Sequence, residues 1–514
     1  MKGRLFMSKK IGIVDIGSST IRLVIYEKRL NRPTYERIEN IKVTARLRSY
    51  LDEQNALKEE GIDRLLTTVQ DFLKILKQYD VPLVTWVATA SLRLAMNGKE
   101  IVDRVKEETG VQIRLLSDYE EAYYGYLAIR HSIALTEAIT IDIGGGSTEV
   151  TYFREGEIVE YVSLPYGALS LRLQFISGDM ATKEERDKME QMIRHSLSTL
   201  PWLYDRQVPI IAIGGSVRNI ARLHQQMESY PLDELHQYEM TAYDLQHVDE
   251  AIAQHTLQEL QKLEAIDKER ADTLQPAMTV FRSLCDIVGD APFIISGQGL
   301  RDGLLYEMQG KSIPKMDEMI HESIDELKSR FYIGNQKEPQ LQRLAEFFLK
   351  GIQQQRQCFT ARDEELIRYG SRIFNLGKKA DAETSNITFF LVSHYTFLGL
   401  SHKDRIRLAL LSSFKNRRLF WQYVKPFEHW YNEEELKRLA MLGAILKVAQ
   451  TLDRTKQESV KNVSIEKQTD EEWIVRIQHR DFVFSEQYHF NAQKKHLERA
   501  LKVTLTPVFE QIDK

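Results

Sequence analysis

Two stretches of the chain carry the same pattern of apolar and polar positions. Residues 11–20 read Ile-Gly-Ile-Val-Asp-Ile-Gly-Ser-Ser-Thr, and residues 138–148 read Ala-Ile-Thr-Ile-Asp-Ile-Gly-Gly-Gly-Ser-Thr, aligned on Asp15 and Asp142. In each, a β-rich run delivers an Asp, then Ile-Gly, then small residues ending in Ser-Thr, and a second β-like run follows (IRLVIY and EVTYF). The pattern predicts two hairpins whose turns have no bulk, as copies of one duplicated unit. Two more apolar runs, at 210–221 (IIAIGGSVRNIA) and 293–308 (FIISGQGLRDGLLYEM), predict a strand, a glycine turn and a helix. After a linker-like stretch at 309–318 the period becomes helical, through 341–355, 363–377, 386–400 and 404–414, and predicts a mostly α region over 319–455. The tail, 456–514, reads as a few strands followed by an amphipathic helix over 492–512, a small α/β domain.

Glycine in such turns lets backbone N–H groups face an anion at close range, where a Cβ would block the approach or forbid φ > 0. Gly17, Ser18 and Ser19 in the first turn, Gly144, Gly145, Gly146, Ser147 and Thr148 in the second, and Gly214, Gly215 and Ser216 in the third are the candidate phosphate-binding residues. The third turn opens a helix, whose N-terminal amides also receive phosphate. Asp15 and Asp142 stand just before the turns, either capping them or holding a hydrated Mg²⁺ that bridges to the phosphate. Four glycine turns at strand ends predict a cleft between two related α/β lobes, with the ligand where the loops meet.

Length and charge narrow this picture. The 514 residues exceed one ordinary core and call for several domains. A formal charge of −4 excludes a protein that is basic throughout, so any anion must be held by a local cluster, and nucleic acid is not an expected partner. Lys28–Arg48 and Arg362–Arg418 are two such clusters, each with a solvated face as the alternative. Cys285 and Cys358 lack metal or disulfide spacing, and the opening apolar run is broken by Asp15, too short for a signal peptide or a membrane span. A cytoplasmic protein off the membrane is expected.

Between the hairpins lie TWVATASLRLAMN (85–97) and IRLLSDYEEAYYGY (113–126). Arg93 suits bidentate phosphate binding or an interlobe ion pair, and either of the adjacent acids Glu120 and Glu121, at the start of a helix-like run, could serve as a base. The hairpins, these two segments, DIGGGSTE and SGQGLRDGLLYEM together resemble the exopolyphosphatase and guanosine pentaphosphate phosphohydrolase family. That family is a branch of the acetate kinase, sugar kinase, heat-shock protein 70 and actin superfamily. The resemblance spans about 300 residues and implies two actin-like (ribonuclease H-like) α/β lobes, 1–128 and 129–310. In layout, 319–455 resembles the all-α HD-like domain of long members, followed by the α/β tail at 456–514. Where an HD site needs His-Asp metal ligands, this chain has Phe374-Asn375, and the later segment offers only His394 and His402, so no metal chemistry is expected there.

The resemblance further implies a catalytic role for Glu121 as base, with Arg93 and Glu149 beside it, and Mg²⁺ at Asp15, Asp142 and Glu149. It implies inorganic polyphosphate or guanosine pentaphosphate as substrate, and a homodimer. The chain departs from the family at Ser19, commonly Asn, at Tyr123, commonly Arg, and at Val217, commonly Thr. Hydrolysis of terminal phosphate from polyphosphate is the expected activity, the long C-terminal half favouring the polymer. Guanosine pentaphosphate hydrolysis, an ATP-using kinase and a sensor without turnover are the alternatives.

Overall fold

The computed structural model describes residues 9–29, 32–331, 339–379 and 384–512. The chain divides into two compact units, Met1–Met319 and Ile320–Lys514.

The first unit holds two sheets built on one plan. Strands β1 (Lys9–Ile16), β2 (Thr20–Lys28) and β3 (Glu36–Thr44) form an antiparallel meander, and β4 (Leu83–Ala88) and β5 (Ile113–Leu115) extend it in parallel, giving the order β3-β2-β1-β4-β5. The second sheet repeats this with β6 (Glu137–Ile143), β7 (Thr148–Arg154) and β8 (Glu157–Leu164) as the meander. Its parallel side is β9 (Ile210–Ile213) and β11 (Phe293–Ile295), with the short β10 (Tyr238–Met240) added antiparallel at the edge. Both predicted hairpins are present, β1–β2 and β6–β7, and their register sets Asp15 opposite Arg22 and Asp142 opposite Glu149.

The lobes have separate cores. In the first, the helix Glu59–Gln78 lays Leu65, Val69 and Phe72 on the sheet. In the second, the helices Lys183–Ser198 and Leu274–Val288 supply Met189, Ile193, Val280 and Phe281. The helix Leu300–Gln309, placed by sequence in the second lobe, packs instead with the first: Leu304 and Leu305 share a core with Ile11, Ile13, Val24 and Tyr26. It lies against the helix Asp118–Arg130 so closely that a Cβ at Gly303 would stand 2.0 Å from the Tyr124 carbonyl oxygen. The basic stretch 28–48 is largely committed to protein partners: Arg46 pairs with Asp272 at 2.9 Å, and Lys42 reaches Glu269 at 3.5 Å.

The second unit is helical before its sheet. The helices Pro339–Gln355, Ala361–Ile373, Thr384–His394 and His402–Ser412 match the four periodic segments, though the third stops at His394, short of the predicted 400, and Glu433–Thr451 is a further helix within the predicted α region. The Asn375 side chain donates to Gln450 Oε1 at 2.8 Å, His402 is buried, and His394 hydrogen-bonds the Phe390 carbonyl one turn back. In the basic stretch 362–418, Arg362 and Arg407 are ion-paired with Asp404, and the side chains of Lys378 and Lys379 lie outside the described residues.

The tail departs from expectation. After β12 (Val460–Lys467) and β13 (Glu472–His479) come the helices Phe484–Gln493 and Lys495–Leu501, but Thr504–Gln511 forms β14, parallel to β13, where a helix was predicted. Pro507 cannot continue a helix and is accepted because β14 is an edge strand. No helix among the described residues is long and apolar enough to cross a membrane, and no disulfide joins the two cysteines.

Candidate functional site

The strand ends that carry Asp15, Asp142 and Ile213 lie side by side, because β1 and β6 each anchor the parallel half of their sheet. Their loops enclose a cavity of about 170 Å³ between the lobes. The two turns share one internal bond: the Gly17 amide donates to Thr20 O and the Gly144 amide to Ser147 O, both at 3.0 Å. Beyond that bond the second turn is held from behind. The carbonyls of Gly144 and Gly145 accept from the first amides of the helix Ala168–Phe175, which leaves the amides of Gly145 and Gly146 without a protein acceptor among the described residues. The glycines are required by the meeting of the two turns, since a Cβ at Gly145 would lie 2.5 Å from Ser19 Oγ and 3.1 Å from the Ser19 amide nitrogen.

Most residues singled out from sequence line the cavity: Asp15, Gly17, Ser18, Ser19, Glu121, Asp142, Gly144 to Ser147, Glu149, Gly214 and Gly215. Three do not. Thr148 Oγ1 donates to the Tyr166 carbonyl at 2.7 Å and fixes the strand start. Ser216 is buried one residue beyond the lining, its hydroxyl without a partner. Arg93 sits behind Glu121, donating to it and to Leu116 O at 2.8 Å, and is ion-paired with Asp118 Oδ1 at 2.5 Å. Of the departures, Val217 is a core residue of the second lobe and Tyr123 packs among Tyr119, Tyr124 and Tyr126, so only Ser19 reaches the cavity.

Four guanidiniums that sequence reasoning had missed complete the lining: Arg22, Arg218, Arg270 and Arg301. Arg22 and Arg218 stand at the third residue of β2 and the fourth of the helix Gly215–Met227, each a few residues past a glycine turn. Arg270, in the 3₁₀ segment Lys268–Thr273, follows no such turn. Burial, and the Arg301 charge after it, lower both Arg22 and Arg218 to about 10. Both therefore stay cationic at neutral pH, crowded in a way that a bound polyanion relieves. Arg301 reaches Asp15 Oδ2 at 3.4 Å, and the Arg22 Nε is buried with no partner.

The acids are also out of their ordinary range. Glu121 is raised by burial first and by the Glu149 charge next, with Arg93 opposing. Glu149 is raised by burial and by Asp142, and accepts a hydrogen bond from Ser163 Oγ at 3.0 Å. Burial pushes Asp142 up to about 6 from 3.8, Arg218 opposing and Asp15 adding to the rise. A carboxyl raised in the folded state binds its proton more tightly there, so its stabilising contribution is complete below pH 3.8 and lost as pH rises through 6. In metal-free buffer, Asp142→Asn should therefore gain on the wild type by roughly 3 kcal/mol between pH 3.5 and 7, read from denaturant unfolding at each pH. A constant difference across that range would contradict it.

Among the described residues no group of three or more His, Cys, Asp or Glu is disposed to hold a metal ion by itself. Asp15 and Asp142 both open to the cavity, Asp15 close enough to raise the Asp142 carboxyl, and they fit instead an ion that keeps most of its waters and takes only one or two protein carboxylates, as Mg²⁺ does beside phosphate.

The family model described as the Ppx/GppA phosphatase family matches residues 24–312. The chain belongs to that family. Among solved structures, a family member from Aquifex aeolicus is 25% identical, with a TM-score of 0.51 over 60% of this chain and 100% of that one. An exopolyphosphatase from Cytophaga hutchinsonii, 22% identical, covers 60% of this chain and 100% of its own with a TM-score of 0.53, a likeness of fold. The two lobes, with the cavity between them, are thus those of a Ppx/GppA phosphatase.

Proposed function

We propose that this Ppx/GppA chain is an exopolyphosphatase, which hydrolyses the terminal phosphoanhydride of inorganic polyphosphate to orthophosphate and a chain one phosphate shorter. The observation that carries the reading is the cavity lining: two glycine turns with free amides, four guanidiniums and the buried acids Glu121 and Glu149, with no aromatic ring among the described lining residues on which a nucleobase could stack. The turn amides and Ser18, Ser19 and Ser147 hold the terminal phosphoryl, and Arg22, Arg218, Arg270 and Arg301 take up the charge of its neighbours. Glu121 accepts a proton from water as the water oxygen attacks phosphorus and the bridging oxygen leaves with its electron pair. Glu149, bonded by Ser163, helps orient that water. Mg²⁺ at Asp15 and Asp142 would supply neutralising charge on the phosphoryl oxygens.

The same reading takes residues 319–455 as an HD-like helical domain without its metal pairs, and the protein as a cytoplasmic homodimer. The test is phosphate release by purified protein from long-chain polyphosphate with Mg²⁺, set against release from guanosine pentaphosphate and against chelated buffer. Release from polyphosphate that stops on chelation is expected. Release from guanosine pentaphosphate alone would transfer the assignment to that substrate.

A further inference from the structure

The first turn of the helix Asp118–Arg130 carries three acids, and each has a different task. Glu120 closes the capping box with Ser117 and pairs with Arg114, so it is committed to starting the helix. Glu121 turns into the cavity, its side chain 7% exposed. Asp118 lies three residues before Glu121, a spacing that sets both side chains on one face, and both reach the same guanidinium, Arg93. Arg93 is itself fixed at the end of the short helix Ala90–Arg93, and the Leu116 carbonyl accepts from its Nη1 at 2.8 Å.

The guanidinium is thus shared. Its Nη1 donates to Glu121 Oε1 and to Leu116, while Nη2 is drawn off by Asp118 Oδ1 at 2.5 Å. A guanidinium free to choose pairs with a carboxylate through two parallel bonds. Such a pair would take up a lone pair on each oxygen of Glu121 and leave neither oxygen free of the guanidinium to receive the water's proton. From this geometry we infer that Asp118 is a positioning residue: by holding Nη2 it limits Arg93 to a single bond on Glu121 and keeps the second carboxylate oxygen directed into the cavity. The inference rests on Glu121 acting as the base.

Asp118 is 54% exposed and outside the cavity lining, so its replacement should leave the fold and the substrate contacts intact. With the full chain, Mg²⁺ and polyphosphate, Asp118→Asn and Asp118→Ala should lower kcat about tenfold with KM within about twofold, and Asp118→Glu should recover at least half of the loss. In an Arg93→Ala background, Asp118→Ala should change nothing further, because its effect passes through the guanidinium. Full kcat in Asp118→Ala, a raised KM at unchanged kcat, or a further loss in the Arg93→Ala background would each overturn the inference while leaving the hydrolase reading in place. A wild type that releases no phosphate would overturn the hydrolase reading first, and this inference with it.

Discussion

Changing Glu121 to Gln is expected to lower phosphate release from polyphosphate by about 10²- to 10⁴-fold, the contribution of a positioned general base. Affinity for the chain should stay within a few-fold, because Glu121 sits at the cavity wall beside Glu149 and lends no positive charge to the anion. Gln preserves the volume and still accepts a hydrogen bond from Arg93, so the change isolates the proton-accepting oxygen. Initial rates across a range of chain concentrations separate kcat from KM. Unchanged kcat would remove Glu121 as the base and leave Glu149 as the alternative. Loss of binding together with kcat would mean that the residue holds the site's shape instead.

The second large effect is expected at a glycine outside the cavity. A Cβ at Gly167 would lie 2.5 Å from Gly144 O and 2.8 Å from both Gly145 C and Gly146 N, all of them backbone atoms that no rotamer change can move aside. Gly167 is the N-cap of the helix whose first amides hold the Gly144 and Gly145 carbonyls. In Gly167→Ala the phosphate turn must therefore shift, and a displacement near 1 Å at a phosphoryl site costs on the order of 10²-fold in kcat/KM. The loss should appear in KM as well as kcat, since the amides proposed to bind phosphate are the atoms displaced. A variant with wild-type kinetics would show that the helix, not the turn, had moved. Added polyphosphate should restore thermal stability less in the variant than in the wild type, a check independent of turnover.

The C-terminal tail shows where local reading fails. Residues 504–511 alternate buried and exposed at their start, which suits a strand, yet they follow a helix and contain apolar residues at spacings a helix also tolerates. What chose the strand is pairing with β13, from Glu472↔Thr504 to His479↔Gln511, and this partner lies more than thirty residues back along the chain. Arg270 is a similar case: it enters the cavity only because the 3₁₀ segment Lys268–Thr273 is drawn to the first lobe through Arg46 and Asp272.

By itself the sequence determined the duplicated hairpins, the strand-turn-helix pair at 210 and 293, the helix that presents Glu121, and the lack of side-chain bulk in the glycine turns. Each is written in contiguous residues, because a turn without side chains and a strand's apolar run are set by local sterics and period. Only the tertiary structure decided which polar groups meet: the four guanidiniums around the cavity, the retreat of Arg93 behind Glu121, Thr148 as a strand anchor, and the demand for glycine at 167. Those choices depend on close approach between segments far apart in the chain. There a Cβ or a guanidinium either fits or clashes within a few tenths of an ångström, and no local pattern encodes that distance.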